Sequence, residues 1–295
     1  MTDKEVLVEA FKRGHAWNPK FPNLNGLDLA SVEKMDGTEA DAKQLIESLQ
    51  RSDANYVSLV ASIHARATPS YDGEVGPATK ALVGLPRCPL PDFAPPPGAS
   101  FDYGDPGLNR AVARMQAATG SGSWPAGCHG TSGVHEVTIS YDLSNLTSKH
   151  KEWWPEIKAR SHQAVADVGI KLVEVPVGQK ANITVYGRVL GGSVIGMAEF
   201  NGETCGDTVF CQLNPNYAPD IDMVLNLLLH ENGHNWNLEH RSGNIMNPSI
   251  LRTPTYWIKR GVGGAVEYQD NSYPTLKKFF GGESLGPEAG RSWLI

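Results

Sequence analysis

One short stretch of the sequence constrains this chain more than any other feature. Residues 230–240 read His-Glu-Asn-Gly-His-Asn-Trp-Asn-Leu-Glu-His, and Met246 follows soon after. His230 and His234 are four residues apart, so on a helix they lie on one face about one turn apart and can bind a single metal ion. The sequence therefore predicts a helix that carries two metal ligands.

The third histidine of the stretch, His240, lies too far along the chain to share that helical face. The chain must turn back, and Asn237 stands where the turn is needed. Asn adopts the left-handed backbone conformation more readily than other non-glycine residues, at a cost of about 1 kcal/mol relative to Gly. Three neutral imidazoles leave a fourth position for water, which is typical of a catalytic zinc, whereas structural zinc sites more often use cysteines. Glu231 lies beside the histidines, where its carboxylate can act on that water.

Five residues resemble the zinc motif and the Met-turn of the metzincin proteases: His230, Glu231, His234, His240 and Met246. A bare His-Glu-x-x-His can arise by chance in a chain with nine histidines, but the third histidine and the methionine argue against coincidence. The resemblance implies a zinc endopeptidase in which Glu231 is the general base and Met246 lies under the histidines without acting chemically. The family usually has Gly where this chain has Asn237.

A second motif, Pro-Arg-Cys-Pro-Leu-Pro-Asp, lies at 86–92. It is similar to the cysteine-switch segment that ends the propeptide of the matrix metalloproteinases, or matrixins. The resemblance implies that Cys88 binds the zinc in a latent form, because thiolate is a strong zinc ligand that displaces the water. Pro89 stands where the family usually has Gly. A proline there holds Cys88 extended but removes a backbone hydrogen-bond donor. The alternative is an ordinary cysteine in a proline-rich linker.

Apolar residues at helical spacing predict a small helical bundle before this motif, with helices near 5–13, 38–51 and 57–65. Residues 71–79 resemble the turn-and-helix signature of peptidoglycan-binding-like domains, with Pro77 in the first helical turn. We therefore expect a peptidoglycan-binding-like prodomain over 1–92 and a linker and activation region over 93–133. A metzincin catalytic domain follows over 134–295.

The linker contains a stiff Pro-Pro-Pro-Gly stretch at 95–98 and a short predicted helix over 108–118. Activating cleavage is expected near 95–98 or in the polar stretch that extends to about 123. These alternatives stay open at the level of sequence.

The catalytic domain is predicted to be α+β, with a twisted mixed sheet of five strands and three helices. Alternation and short apolar runs predict strands at 137–141, 171–175, 182–186, 194–200 and 207–213. A long helix is predicted around Trp154 to Val168 with Pro155 in its first turn, and the zinc helix is predicted to start near Ile221, capped by Asp220. A closing helix is predicted over 273–280. This order resembles that of the metzincins.

Residues 196–200, Gly-Met-Ala-Glu-Phe, resemble the family's upper-rim strand, an edge strand that pairs antiparallel with substrate backbone. Met197 and Ala198 are the expected substrate contacts on it, and the alternative is an internal strand packed on both sides. The resemblance also places a wall of the primed-side specificity pocket at Pro248, Ser249 and Ile250.

Two further predictions concern cysteines and metals. Cys205 and Cys211 bracket a short loop, so they form either a local disulfide in an oxidising compartment or two buried thiols. No histidine lies between His162 and His230, so the second, structural zinc of the matrixins is not expected and one zinc is predicted. Calcium stays uncertain, although Asp207 follows a glycine as in a matrixin calcium site.

Composition narrows the range of partners. The chain has 295 residues, 40% hydrophobic and 20% charged, as an ordinary soluble globular protein does. A net charge of −6 without any Lys/Arg cluster argues against nucleic acid. The longest apolar run is too short to cross a membrane. The N-terminus lacks a signal-peptide core, yet a proenzyme architecture favours a secreted protein, and a monomer is expected.

The sequence thus predicts a latent zinc endopeptidase that acts on protein or peptide substrates and is inhibited by Cys88. One alternative is a peptidoglycan-directed zinc peptidase that uses its N-terminal domain to bind the cell wall. Another is a non-enzymatic component that keeps the zinc as scaffold, but a scaffold has no need of Glu231.

Overall fold

The computed structural model describes residues 5, 86–91, 103–118, 135–166, 170–191, 194–200, 208–217, 220–238, 240, 245–246, 258–260, 265–268 and 292–294. Within these residues the chain forms an α+β domain. The predicted N-terminal helical bundle, the stretch at 95–98 and the closing helix over 273–280 lie outside them.

Five strands form one mixed sheet in the order β2-β1-β3-β5-β4: β1 (His135–Asp142), β2 (Ile170–Glu174), β3 (Ile183–Gly187), β4 (Gly196–Ala198) and β5 (Val209–Leu213). β1, β2, β3 and β5 are parallel, and β4 is antiparallel to β5. The five predicted strands are confirmed to within two residues at each end. β4 lies at the end of the sheet, as predicted, and not in its interior.

Helix α1 (Pro106–Ala118) precedes the sheet in the chain and confirms the helix predicted over 108–118. It begins two residues earlier than predicted because Asp105 caps it. The Asp105 carboxylate accepts hydrogen bonds from the backbone N–H groups of Gly107 and Leu108, at 2.7 and 3.1 Å. Pro106 occupies the first helical position, where the missing N–H of proline costs nothing.

Helix α2 (Ser148–Ala166) corrects one prediction, since Pro155 lies inside the helix and not in its first turn. The helix begins at Ser148 because Thr147 caps it, accepting the His150 N–H on its hydroxyl at 3.2 Å. Pro155 is exposed, and its ring nitrogen has no hydrogen to donate to the preceding turn of the helix.

Helix α3 (Ile221–Asn235) begins where the sequence predicts. Asp220 is its N-cap, and the carboxylate accepts the Met223 N–H at 2.8 Å. Every residue from Val224 to Asn235 is buried. The helix packs against α2, β4 and β5, so the two predicted histidines are held in the interior of the domain.

Two apolar clusters hold the described part together. The larger joins the sheet to α2 and α3. The smaller joins the 86–91 segment, α1 and the β4–β5 edge, and we call it the rim cluster; its buried members are Cys88, Leu90, Leu108, Ala111, Val112, Met115, Leu190, Met197, Phe200 and Phe210. Residues from three separate parts of the chain therefore meet beside β4.

A second, three-stranded antiparallel sheet contains β6 (Ile258–Arg260), β7 (Ala265–Tyr268) and β8 (Ser292–Leu294), in that order. Among the residues that the structure describes, no helix is long and apolar enough to cross a bilayer.

Candidate metal centre

Three histidines and one cysteine converge in the interior of the domain. His230 and His234 lie one turn apart on α3, and the chain turns back after the helix to bring in His240. Asn237 makes this turn with φ of 61°, the left-handed conformation expected there. The side-chain ligand atoms of these histidines and of Cys88 all lie within 4.8 Å of one another, and all four residues are buried.

Backbone carbonyl groups fix the orientation of two of the rings. His230 Nδ1 donates to the carbonyl oxygen of Ile245 at 2.7 Å, and His234 Nδ1 donates to that of Leu238 at 2.8 Å. With Nδ1 protonated, each ring keeps the Nε2 lone pair for a metal. Nε2 of His230 is buried and has no hydrogen-bond partner among the described residues.

The electrostatics of the site favour neutral imidazoles. Burial, opposed by the Ile245 hydrogen bond, lowers the pKa of His230 to about 4. Burial lowers the pKa of His234 well below its ordinary value, and the neighbouring His240 and His230 lower it further. A metal ligand must be deprotonated, so the site is already in the state that binding requires.

Glu231 lies beside the cluster and is completely buried. Burial raises the pKa of its carboxyl group well above the ordinary value, and Cys88 opposes that shift. The Cys88 thiol donates to Glu231 Oε2 at 3.8 Å, while Oε1 has no hydrogen-bond partner among the described residues. A buried carboxylate with an unused oxygen is costly unless it serves a binding or chemical role.

Cys88 reaches the histidines on an extended segment that runs beside β4. The Cys88 sulfur lies 3.6 Å from His234 Nε2. The Ile195 N–H donates to the Arg87 carbonyl at 3.1 Å, and Arg87 and Val194 form a parallel bridge. The Arg87 guanidinium folds back to donate to the carbonyl groups of Cys88 and Leu90, at 2.8 and 3.3 Å. These bonds hold the segment in place.

Met246 lies in a buried turn, close to Gly233 of α3. A methyl group added to Gly233 would come within 2.3 Å of Met246 Sδ, so the methionine occupies the space that a side chain at Gly233 would fill. On the opposite side, a methyl group added to Gly196 would come within 2.6 Å of Glu231 Oε1. Glycines therefore let the Met-turn and β4 approach the two sides of α3.

The other predicted residues are placed as follows. Met197 and Ala198 lie on the edge strand β4, but their side chains are buried, and Met197 belongs to the rim cluster. Pro248, Ser249, Ile250 and Asp207 lie outside the described residues. Cys211 is a buried free thiol on β5, so the disulfide to Cys205 is not formed and the buried-thiol alternative applies to Cys211. Cys205 is outside the described residues.

Several contacts around the site were not predicted. The Asn235 amide donates to the carbonyl groups of Glu199 and Phe210, at 2.8 and 3.0 Å, and so ties α3 to the β4–β5 edge. The sequence gives one indication of this contact, a polar residue directly after His234 on a helix predicted to be largely apolar. The carbonyl groups of Ile245 and Leu238 leave no such indication, because every residue carries one.

The donor set fits a zinc ion. Imidazole nitrogen and thiolate sulfur are preferred zinc ligands. The structure brings these ligand atoms within 4.8 Å of one another in His230, His234, His240 and Cys88. Nε2 of His230 is buried and has no hydrogen-bond partner among the described residues, as expected of an atom that binds a metal ion. The residues of this site would hold one such ion.

Comparison with known proteins gives the following. No model of a known protein family matches this chain, and no curated protein matches it. Among solved structures, the chain is similar to high choriolytic enzyme 1, a hatching-enzyme zinc protease from Oryzias latipes (medaka fish). The sequence identity is 14% and the TM-score is 0.26, with 48% of this chain and 80% of that chain covered.

Proposed function

We propose that this protein is a zinc-dependent endopeptidase of the metzincin type, similar to the matrixins and made in a latent form. The observation that carries the proposal is the convergence of three histidine nitrogens and the Cys88 sulfur within 4.8 Å, with the Glu231 carboxylate beside them. The order of strands and helices and the turn at Asn237 agree with that assignment.

The chain's own residues have distinct tasks in this mechanism. His230, His234 and His240 would hold a zinc ion, which would supply Lewis acidity for a peptide carbonyl and for water. Glu231 takes the proton of the attacking water and delivers it to the leaving amine. An extended substrate pairs with the free edge of β4, which keeps the scissile bond close to Glu231.

The position of Cys88 supports the proposal of a latent form. Its sulfur is close to both His234 Nε2 and Glu231 Oε2, at 3.6 and 3.8 Å. With a metal bound, the Cys88 thiolate would occupy the coordination position that water and substrate need, and its segment pairs beside the edge strand at Val194 and Ile195. The chain is inactive until the segment leaves.

The test is the loss of catalysis without loss of metal. Glu231→Ala and Glu231→Gln should each bind one zinc ion per chain, measured by atomic absorption, and cleave casein about a hundredfold more slowly or worse. Both are measured alone and together with Cys88→Ser, so that latency does not hide the effect. Glu152→Gln, at an exposed position on α2, is the matched control and should match the unaltered chain. Casein cleavage by Glu231→Ala at the unaltered rate would refute the mechanism.

A second candidate is a peptidase directed at peptidoglycan, favoured by the resemblance of residues 71–79 to peptidoglycan-binding-like domains. On this proposal the N-terminal domain binds the wall while the same zinc site cuts its peptide stems. Sedimentation of the Glu231→Ala chain with purified sacculi tests it, since this variant cannot digest the wall. Recovery of the chain in the supernatant at all wall concentrations would refute it.

A further inference from the structure

Ion pairs between arginines of helix α1 and a buried glutamate anchor the helix to the five-stranded sheet. Glu199, directly after β4, has a fully buried side chain that pairs with Arg110 and, at 3.7 Å, with Arg114. At the start of the helix, the capping Asp105 also pairs with Arg188 at 2.9 Å. The helix is thus bound to the sheet at its first turn and along its middle.

Removing α1 would take both arginines away from Glu199, whose side chain is buried while the helix is in place. Burial already raises the pKa of Glu199, and both arginines oppose that rise. Removal would also uncover Met197, Phe200 and Phe210 in the rim cluster. Helix α1 is therefore part of the folded catalytic unit and does not leave with a propeptide.

Leu90 is fully buried in the rim cluster, in an apolar space that it shares with residues of α1 and β4. Leu90, Met115 and Phe200 are among the largest fully buried side chains of the described residues. The helix lies directly against the strand, because a methyl group added to Gly107 would come within 3.1 Å of Met197 Cε. We call this space, lined by Leu108, Met115, Met197 and Phe200, the Leu90 pocket.

Leu90 reaches this pocket from the same track that a peptide substrate would use. Cys88 lies at the histidines, Leu90 is two residues further along, and the segment is paired with Ile195 at the edge of the sheet. When the segment leaves, an apolar pocket opens close to the metal centre. An apolar side chain that refills it gains the free energy of burial.

We propose that the Leu90 pocket is a substrate subsite for a large aliphatic side chain, with Met115 of α1 as its specificity-determining residue. The proposal rests on the proposed peptidase function. The subsite selects peptides that carry Leu, Ile or Met at one position within a few residues of the scissile bond.

The experiment is a positional scan of peptide cleavage. Chains carrying Cys88→Ser are assayed on fluorogenic peptides varied at each position within three residues of the scissile bond. At one position kcat/KM should favour Leu over Ala about tenfold or more. Met115→Ala, added to Cys88→Ser, should widen the pocket and raise kcat/KM for Phe relative to Leu about tenfold at that position alone.

The control is Leu172→Ala on β2, at the opposite edge of the sheet, which removes a similar apolar volume from the larger cluster. It should lower stability and leave every selectivity ratio unchanged. A cleaving chain whose profile does not respond to Met115→Ala, or responds equally at all positions, overturns the subsite alone. Failure of the Cys88→Ser chain to cleave any peptide overturns the peptidase function and the subsite with it.

Discussion

Met246 Sδ lies against the backbone of Gly233, in the space where any other residue would carry its side chain. Gly233 is the residue before His234, so a displacement here is passed directly to a metal ligand. Both residues are buried, and the surrounding cluster leaves little room for relaxation.

We expect Gly233→Ala to destabilise the chain by about 1–3 kcal/mol through overpacking and to weaken zinc binding. Urea unfolding measures the first effect and competition with a chelator the second. Gly191→Ala is the control, because a methyl group there meets nothing within 4 Å. Equal zinc affinities for the two variants would contradict the contact.

Gly196→Ala should impair catalysis more than metal binding. The added methyl group would come within 2.6 Å of Glu231 Oε1 and 2.9 Å of the Gln212 carbonyl, so the carboxylate must move. Misplacing a catalytic group by about 1 Å costs on the order of a hundredfold in rate. The expected result is a lower kcat with one zinc ion still bound, measured in the Cys88→Ser background. Loss of zinc together with activity would point to general misfolding instead.

Cys88→Ser should raise the peptidase activity of the full-length chain. Weakening the closed form by about 1.4 kcal/mol raises a small open fraction by up to about tenfold, so we expect an increase of about fivefold to tenfold. Initial rates on a fluorogenic peptide measure it. Cys211→Ala, which alters the other described free thiol, should leave the latent rate unchanged. An equally latent Cys88→Ser chain would refute the switch.

His162 should make stability depend on pH. Burial, and then the nearby Lys158, lower its pKa, and Tyr141 shares a hydrogen bond of 2.9 Å with its Nε2. Because the unfolded chain then binds more protons, the free energy of unfolding should fall as pH decreases through about 6.5 toward the lowered folded value.

Urea unfolding from about pH 7.5 to about pH 5 measures this dependence. His162→Gln should flatten the curve. Tyr141→Phe, which removes the donor to the neutral ring, should flatten it in part. Parallel curves for the three chains would exclude the contribution of His162.

The sequence predicts those features that repeat locally or that use distinctive residue types. Strand alternation gave the five strands, and the spacing from His230 to His240 predicted which rings meet. The start of α2 was misplaced because Pro155 is more conspicuous in sequence than the cap at Thr147, although the hydrogen bonds of Thr147 determine where the helix begins.

Other features depend on residues far apart in the chain and have no local pattern. Arg110 and Glu199 are 89 residues apart. In the sequence each is an ordinary charged residue, and only the packing of α1 beside β4 brings the two together. The same holds for the meeting of Leu90 with Met115. Such contacts follow from the topology of the sheet, which places β4 at the edge beyond β5.

The parallel bridge between Arg87 and Val194 has a consequence for inhibitor design. A peptide that pairs antiparallel with the same strand presents its carbonyl groups in the reverse sequence. A ligand with the sequence of residues 86–91, bound in the same direction as that segment, therefore places each amide bond before Glu231 in the orientation opposite to that of a substrate. Such a ligand would compete for the cleft and resist digestion by the enzyme that it blocks.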